Sequence, residues 1–412
     1  MTGDDVLAVD FGTSNSAVAV LERGAVHRVP MEGDAGATLP TAVFFPRRGP
    51  MRIGEAAVAA LIEGEEGRFM RALKSVLGTD LAHEPRMVGG RRQTLADVIA
   101  AFLAELKARA EARTGRTFTR VLSGRPVRFH SDDDAADARA ADDLHACYRA
   151  AGFGEIAFLT EPEAAAIACA GTGGDGIGLI VDIGGGTSDF SVFREGGGGR
   201  PVILGTGGVR LGGTDFDRAL SIAHAMPELG LGGQLRREMG PGLLPVPRAP
   251  FVDLATWVRI PFLYARETRD MVDALVRRSV EPERLERLAY VLEMELGHDL
   301  SFAVESAKIA ANEGSDASIA MTAIAAGLSP AIGYGDLDKV LATQRDHLRG
   351  TAADTLASAG IGAEEVDRVI FVGGSSLMRF VHDEITALCP RAELRTANVF
   401  TAVVDGLAIA SE

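Results

Sequence analysis

The sequence predicts an α/β protein of two similar lobes that face one cleft. Three observations predict it. The pattern Val9-Asp10-Phe11-Gly12-Thr13-Ser14 returns as Val181-Asp182-Ile183-Gly184-Gly185-Gly186-Thr187-Ser188. In each copy an apolar strand ends in Asp, turns on Gly and Thr, and runs into a second strand. Apolar strands also alternate with stretches of helical periodicity along most of the chain. Finally, 412 residues with 47% hydrophobic content suffice for two or three domains around a large core.

Strands are expected at Val6 to Asp10, Ser16 to Leu21, Ala25 to Val29 and Thr41 to Phe45. Helical periodicity marks Glu55 to Ile62 and Arg68 to Leu77. Thr94 to Arg113 is a clear helix, with Leu95, Ile99, Phe102 and Leu106 on one face. A strand at Val121 precedes a helix over Ala135 to Ala151, and Ile156 to Leu159 is a strand. Glu161-Pro162 opens a helix, with proline in the first turn, where no N–H is missed. Gly171 to Gly178 is a joint, after which the opening pattern repeats. Pro227 to Pro261 is rich in glycine and proline and reads as an irregular insertion. Helices resume near Pro282 and run to about Ala311. A strand at Ala317 to Thr322, a helix at Leu337 to Ala359, a strand at Arg368 to Val372 and a helix to Leu388 follow. A helix at Thr401 to Ala410 comes last.

Net charge is −15, from 42 basic and 57 acidic residues. Such a chain repels phosphate backbones, which argues against nucleic acid as a partner and leaves room for a local nucleotide pocket. Cys147, Cys169 and Cys389 show no metal-ligand or redox spacing and read as small buried apolar residues in a reducing compartment. The start, Met1-Thr2-Gly3-Asp4-Asp5, lacks the basic residues and apolar run of a signal peptide. No run of about 18 apolar residues offers a membrane span. A cytoplasmic monomer is expected. Only four lysines, Lys74, Lys107, Lys308 and Lys339, stand among the basic residues.

A triphosphate needs backbone N–H donors, hydroxyl or cationic donors, and a Mg²⁺ held by carboxylates or their waters. Gly12, Gly184, Gly185 and Gly186 permit close backbone approach, and Thr13, Ser14 and Thr187 add hydroxyls. Asp10 and Asp182 close their strands, placed to hold a hydrated Mg²⁺. A Walker loop is absent. A third signal, Phe371-Val372-Gly373-Gly374-Ser375-Ser376, is a strand running into glycines and a helix, where a ring or sugar can lie against bare backbone.

These motifs resemble those of the actin/hexokinase/70-kDa heat-shock ATPase superfamily. Asp10-Phe11-Gly12-Thr13 is similar to its phosphate-1 motif and Asp182 to Thr187 to its phosphate-2 motif. Glu161-Pro162-Glu163-Ala164-Ala165-Ala166 is similar to its connecting motif, and Val372-Gly373-Gly374-Ser375 to its adenosine motif. Leu211-Gly212-Gly213-Thr214-Asp215-Phe216-Asp217 resembles the DnaK-type branch. Gly124-Arg125-Pro126-Val127 and the segment from Met226-Pro227 resemble YegD-like bacterial proteins. The resemblance covers Val6 to about Ala410. It implies a two-lobed actin-like ATPase fold, with ribonuclease H-like duplicated domains around a nucleotide cleft. Lobe I would span 1–174 and lobe II 175–398, with an insertion over about 225–300 and a C-terminal helix, 399–412, packing back on lobe I.

The resemblance further implies roles. Lys74 would be the catalytic lysine and Glu161 the hinge glutamate, both positioning the attacking water. Asp10 and Asp182 would flank Mg²⁺, Thr187 would meet the γ-phosphate, and Asp189 would support the second hairpin. Gly212, Gly213, Gly373, Gly374 and Ser375 would bind nucleotide, and Glu305 and Lys308, one helical turn apart, would contact ribose. Two departures concern the base. Ile309 and Leu377 stand where the family places a pair of arginines, so a base would lose cation–π attraction there. A third departure is Asn398-Val399-Phe400-Thr401 in place of the family's N-P-D-E. No β-rich substrate-binding domain follows Glu412, so an isolated ATPase module is expected. Its cofactors would be ATP or ADP and Mg²⁺, and its partner a protein client or co-chaperone. A non-catalytic nucleotide-gated module and an actin-like filament protein are the alternatives, and a small-molecule kinase is a more distant one.

Overall fold

A computed structural model of the chain describes residues 5–33, 36–169, 176–195, 200–397 and 400–412. Most of the joint expected over 171–178, the boundary at 174, and Asn398 and Val399 lie outside the described residues.

Two sheets repeat one strand order. In the first, β1 (Val6–Phe11), β2 (Asn15–Glu22) and β3 (Ala25–Arg28) form an antiparallel meander. On the other side of β1, β4 (Arg120–Arg125) and β5 (Glu155–Thr160) join in parallel. In the second, β6 (Gly176–Ile183), β7 (Ser188–Glu195) and β8 (Val202–Val209) form the meander. There β9 (Arg368–Val372) and β10 (Glu393–Thr396) extend in parallel from β6. The orders are therefore β3-β2-β1-β4-β5 and β8-β7-β6-β9-β10. β1 and β6 are each flanked on both edges, and Leu7 to Val9 and Leu179 to Val181 are buried. Burial on both faces is why these segments read as continuous apolar runs. Each ends at the carboxyl edge of its sheet, where α/β proteins gather ligands.

The chain divides into two compact units. One comprises Met1–Gly213 and Arg345–Glu412 and holds both sheets; the other is Thr214–Gln344. In the first unit a single core unites the sheets. Ala8, Ala17 and Ala19 come from the first sheet, and Ile180, Phe193, Ile370 and Val372 from the second. Between them lie Ala164, Ala165 and Ala166 of the helix Glu161–Cys169, and Val403, Val404 and Leu407 of the helix Ala402–Ala410. Small residues let these helices cross closely. A Cβ on Gly406 would lie 1.7 Å from the Ala164 carbonyl oxygen. The second unit is mostly helical, with Arg266–Arg278, Pro282–Glu293, Gly297–Asn312 and Tyr334–Val340. Among the described residues no helix is long and apolar enough to cross a membrane.

Five local expectations are corrected. Arg68 to Leu77 is not one helix: Gly67–Arg71 is a strand paired with Ala42–Pro46, and Leu73–Val76 is a 3₁₀ turn. Ala72, at φ 61°, reverses the chain between them. The helix expected over Leu337 to Ala359 breaks at Leu341, which leaves helical geometry at φ −95° and ψ 11°. The strand at Ala317 to Thr322 shrinks to Ala317–Ser318 because its partner, Ala331–Ile332, is equally short. Helices resume at Arg266 rather than Pro282. Arg266–Arg278 buries only Val272 and Leu275, too sparse a stripe to announce itself. The segment read as irregular carries the hairpin Gln234–Arg236/Leu243–Pro245 and the short helices Ala249–Leu254 and Trp257–Phe262.

Gly406→Ala should lower stability by about 2–3 kcal/mol, the scale of overpacking a tight contact. Denaturant melts of wild type and variant check this; an unchanged midpoint would show that the helices can part without cost.

Candidate functional site

The first unit brings its two glycine hairpins together. Gly12, Thr13 and Ser14 turn β1 into β2, and Gly184 to Thr187 turn β6 into β7. The second turn is closed by the Gly184 N–H donating to the Thr187 carbonyl, 3.0 Å. The turns face each other: a Cβ on Gly185 would lie 2.2 Å from Ser14 Oγ, and one on Gly186 2.7 Å from Thr13 Oγ1. Gly212 backs the second turn, where a Cβ would lie 2.5 Å from the Gly186 nitrogen. The Gly213 N–H donates to the Gly184 carbonyl at 3.0 Å. The third glycine motif meets the second at Gly373. Its φ of 77° favours glycine, and a Cβ there would sit 2.7 Å from Asp182 Oδ1. A Cβ on Gly213 would lie 2.4 Å from Ser375 Oγ, so that segment touches the same wall. Gly374 and Leu377 are exposed.

Beneath the turns lies a buried charge cluster. Lys74 is 6% exposed, and its Nζ donates to Glu161 Oε1 at 2.6 Å. Glu161 is the first residue of its helix, where the dipole favours a carboxylate. Lys74 follows Ala72, whose left-handed backbone is uncommon for a residue with a side chain. Asp10, Asp182 and Asp189 complete the cluster. Burial and then the Glu161 charge push Asp10 up to about 7, against an opposing pull from Lys74. Burial, Glu161, Asp189 and Asp10 push Asp182 well above the carboxylate range. Burial and Glu161 raise Asp189, although the Val127 N–H, at 2.6 Å, and the Thr187 side chain both bond it. Burial would lower Lys74, but Glu161 and Asp10 outweigh it and the ammonium is held more firmly protonated.

Four carboxylates thus share the field of one ammonium. A divalent cation would offset this excess, so the residues fit Mg²⁺. Among the described residues no group of three or more Asp, Glu, His or Cys is spaced to grip a bare ion, and Asp10 and Asp182 suit a hydrated one. The glycine-lined turns and the hydroxyls of Thr13, Ser14 and Ser375 fit a phosphate chain.

In the second unit Glu305, Lys308 and Ile309 lie on the helix Gly297–Asn312. Lys308 is buried and donates to Asp217 Oδ1 at 2.7 Å. Trp257 Nε1 donates to Asp217 Oδ2 at 3.4 Å. Ile309 is exposed.

The Hsp70 protein family model matches residues 6–230, more than half of the chain. The chain belongs to the Hsp70 family. The chaperone protein DnaK of Endomicrobium trichonymphae is 33% identical over 224 residues, which are 52% of this chain and 34% of that protein. The match therefore spans about a third of the length of this curated relative. The Hsp70 family is one of chaperone-related ATPases. Its nucleotide-binding domain has the two-lobed actin-like ATPase fold, to which the repeated strand order here belongs.

Within this Hsp70 chain, the first unit gathers Asp10, Thr13, Ser14, Lys74, Glu161, Asp182, the three second-turn glycines, Gly212, Gly213, Gly373 and Ser375. Sequence reasoning gave no role to Asp217 or to the strained Ala72. The Asp217 signal was present in Thr214-Asp215-Phe216-Asp217. The Ala72 signal was not, since helical periodicity hides a single left-handed residue.

A pH dependence follows from Asp10. Its folded value near 7 lies above the unfolded value near 3.8, so between them only the folded chain keeps the proton. Its contribution to stability is full at low pH and is lost as pH rises through about 7. Denaturation midpoints of the nucleotide-free protein should therefore fall over this window more steeply in wild type than in Asp10→Asn. Equal slopes would mean that Asp10 titrates as an ordinary carboxylate.

Proposed function

We propose that this Hsp70-family chain binds Mg·ATP between its two glycine hairpins and hydrolyses it slowly to ADP and phosphate. One observation carries the reading: the turns Gly12-Thr13-Ser14 and Gly184-Gly185-Gly186-Thr187 face each other, and Asp10 and Asp182, which lead into them, share the field of the buried Lys74–Glu161 pair. The proposed lobes are residues 1–174 with the C-terminal helix, and 175–398.

In this reading the backbone of both turns and the hydroxyls of Thr13, Ser14 and Thr187 hold the phosphate oxygens. A bound Mg²⁺ would neutralise phosphate charge, with Asp10 and Asp182 holding its waters. Glu161 accepts a hydrogen bond from the attacking water and aims it at the γ-phosphorus. Lys74 holds the Glu161 carboxylate in place through its hydrogen bond and offsets charge on the transferred group. Little covalent chemistry falls to the protein, so positioning and electrostatics carry the rate. Gly373, Gly374 and Ser375 take the adenosine side, with Glu305 and Lys308 toward the ribose and Ile309 and Leu377 offering apolar surface for a base. Lobe closure would follow nucleotide state, and a protein client or co-chaperone in the cytoplasm is the proposed partner.

Single-turnover hydrolysis of Mg·ATP by the purified chain tests this. Wild type should hydrolyse slowly, and Lys74→Ala and Glu161→Gln should each lose about 100-fold or more while still binding ATP. Tight binding with no turnover in wild type would replace the ATPase with a nucleotide-gated module. Loss of binding in Lys74→Ala, with its fold intact, would make Lys74 a ground-state phosphate ligand.

A further inference from the structure

Lys308 and Asp217 are both more than nine-tenths buried. A buried ion pair is costly unless its remaining donor and acceptor sites are met. The ammonium takes one carboxylate oxygen, Asp217 Oδ1, and the indole of Trp257 reaches the other at 3.4 Å. Trp257 is the only tryptophan in the chain and is 2% exposed. Its ring packs edge-on against Phe302, 5.0 Å between centroids, and lies 6.2 Å from His298. Both belong to the helix Gly297–Asn312, which one and two turns further on carries Glu305, Lys308 and the exposed Ile309. Trp257 itself comes from the proline-rich segment, which otherwise gives nothing to the candidate site.

An indole N–H donates and cannot accept, so its partner must be an acceptor oxygen, and here it is Asp217 Oδ2. A phenylalanine would fill the same space and pack on Phe302. What it would not supply is the second donor. With Oδ2 unheld the Asp217 carboxylate is free to rotate, and the Lys308 ammonium follows it.

We propose that Trp257 is a positioning residue for the nucleoside end of the site. Its N–H fixes Asp217, Asp217 fixes the Lys308 ammonium beside Glu305, and the proline-rich segment thereby sets affinity for sugar and base. This rests on the nucleotide reading of Lys308 and Glu305 given above.

The experiment compares Mg·ATP with Mg·tripolyphosphate, which has phosphates but no nucleoside. Binding to the full chain is measured by calorimetry for wild type, Trp257→Phe and Lys308→Met. Trp257→Phe should weaken ATP about tenfold, the scale of one lost hydrogen bond to a charged group. It should leave tripolyphosphate unchanged. Equal affinity of Trp257→Phe and wild type for ATP, with Lys308→Met impaired, would overturn the proposal and leave the nucleotide reading standing. Equal weakening of both ligands would also overturn it, by showing a general structural role. Wild type that binds ATP no better than tripolyphosphate, or binds neither, would sink the nucleoside reading itself. Should Trp257→Phe fail to fold, wild-type tryptophan emission decides: it should shift on saturation with ATP and not with tripolyphosphate. An ATP-bound chain without that shift would overturn the proposal.

Discussion

Ala164 and Gly406 meet with no space for another atom between them. Much of the first unit depends on that contact. It lets the helices Glu161–Cys169 and Ala402–Ala410 share one core with both sheets. It also fixes where the first helix begins. Glu161 is its first residue, and Glu161 holds Lys74. A crossing of small residues in the first turn of the helix therefore places the charge cluster at its start. Gly124 takes part in the same way: a Cβ there would crowd Glu161 Cγ, Val403 and Leu407 together.

The cluster is electrostatically unfinished. Burial disfavours each carboxylate, and each neighbouring carboxylate disfavours it further. One lysine offsets part of this. The remainder raises the affinity of Asp10 and its neighbours for protons, and a cation would offset it. The second unit solves the same problem differently. There one carboxylate, Asp217, meets one ammonium and an indole donor, with Glu305 the nearby acid that works against it. The first arrangement is poised to receive charge and the second is nearly balanced.

Much of this was legible in the sequence because it rests on local patterns. The strand-Asp-Gly-Thr repeat located both hairpins, and the two sheets carry the same strand order behind them. The helix expected over Thr94 to Arg113 runs over Leu95–Thr114, and Thr94 caps it in a capping box with Asp97. What stayed hidden was set by distant partners. Phe69 and Met70 are spaced for a helix but pair as a strand with Ala42–Pro46. Lys308 reads, together with Glu305 one helical turn before it, as a ribose contact. Its strongest partner is Asp217, 91 residues away, and no periodicity encodes such a contact. A lone tryptophan in the proline-rich segment, Trp257, reads as a packing anchor. It is one, against Phe302, but the indole also serves as a donor, which composition cannot reveal.

The scarcity of lysine acquires a meaning once the four are placed. Lys74 and Lys308 are enclosed in ion pairs. Lys107 donates to the Gly152 carbonyl and lies 5.1 Å from the Phe153 ring centroid. Only Lys339 is exposed. Amine-directed chemistry, whether a cross-linking reagent, an acetyl donor or a ubiquitin-type ligation, finds a surface with almost no side-chain handle on it. The contacts this protein makes with others will be seen poorly through its lysines and far better through its arginines and carboxylates.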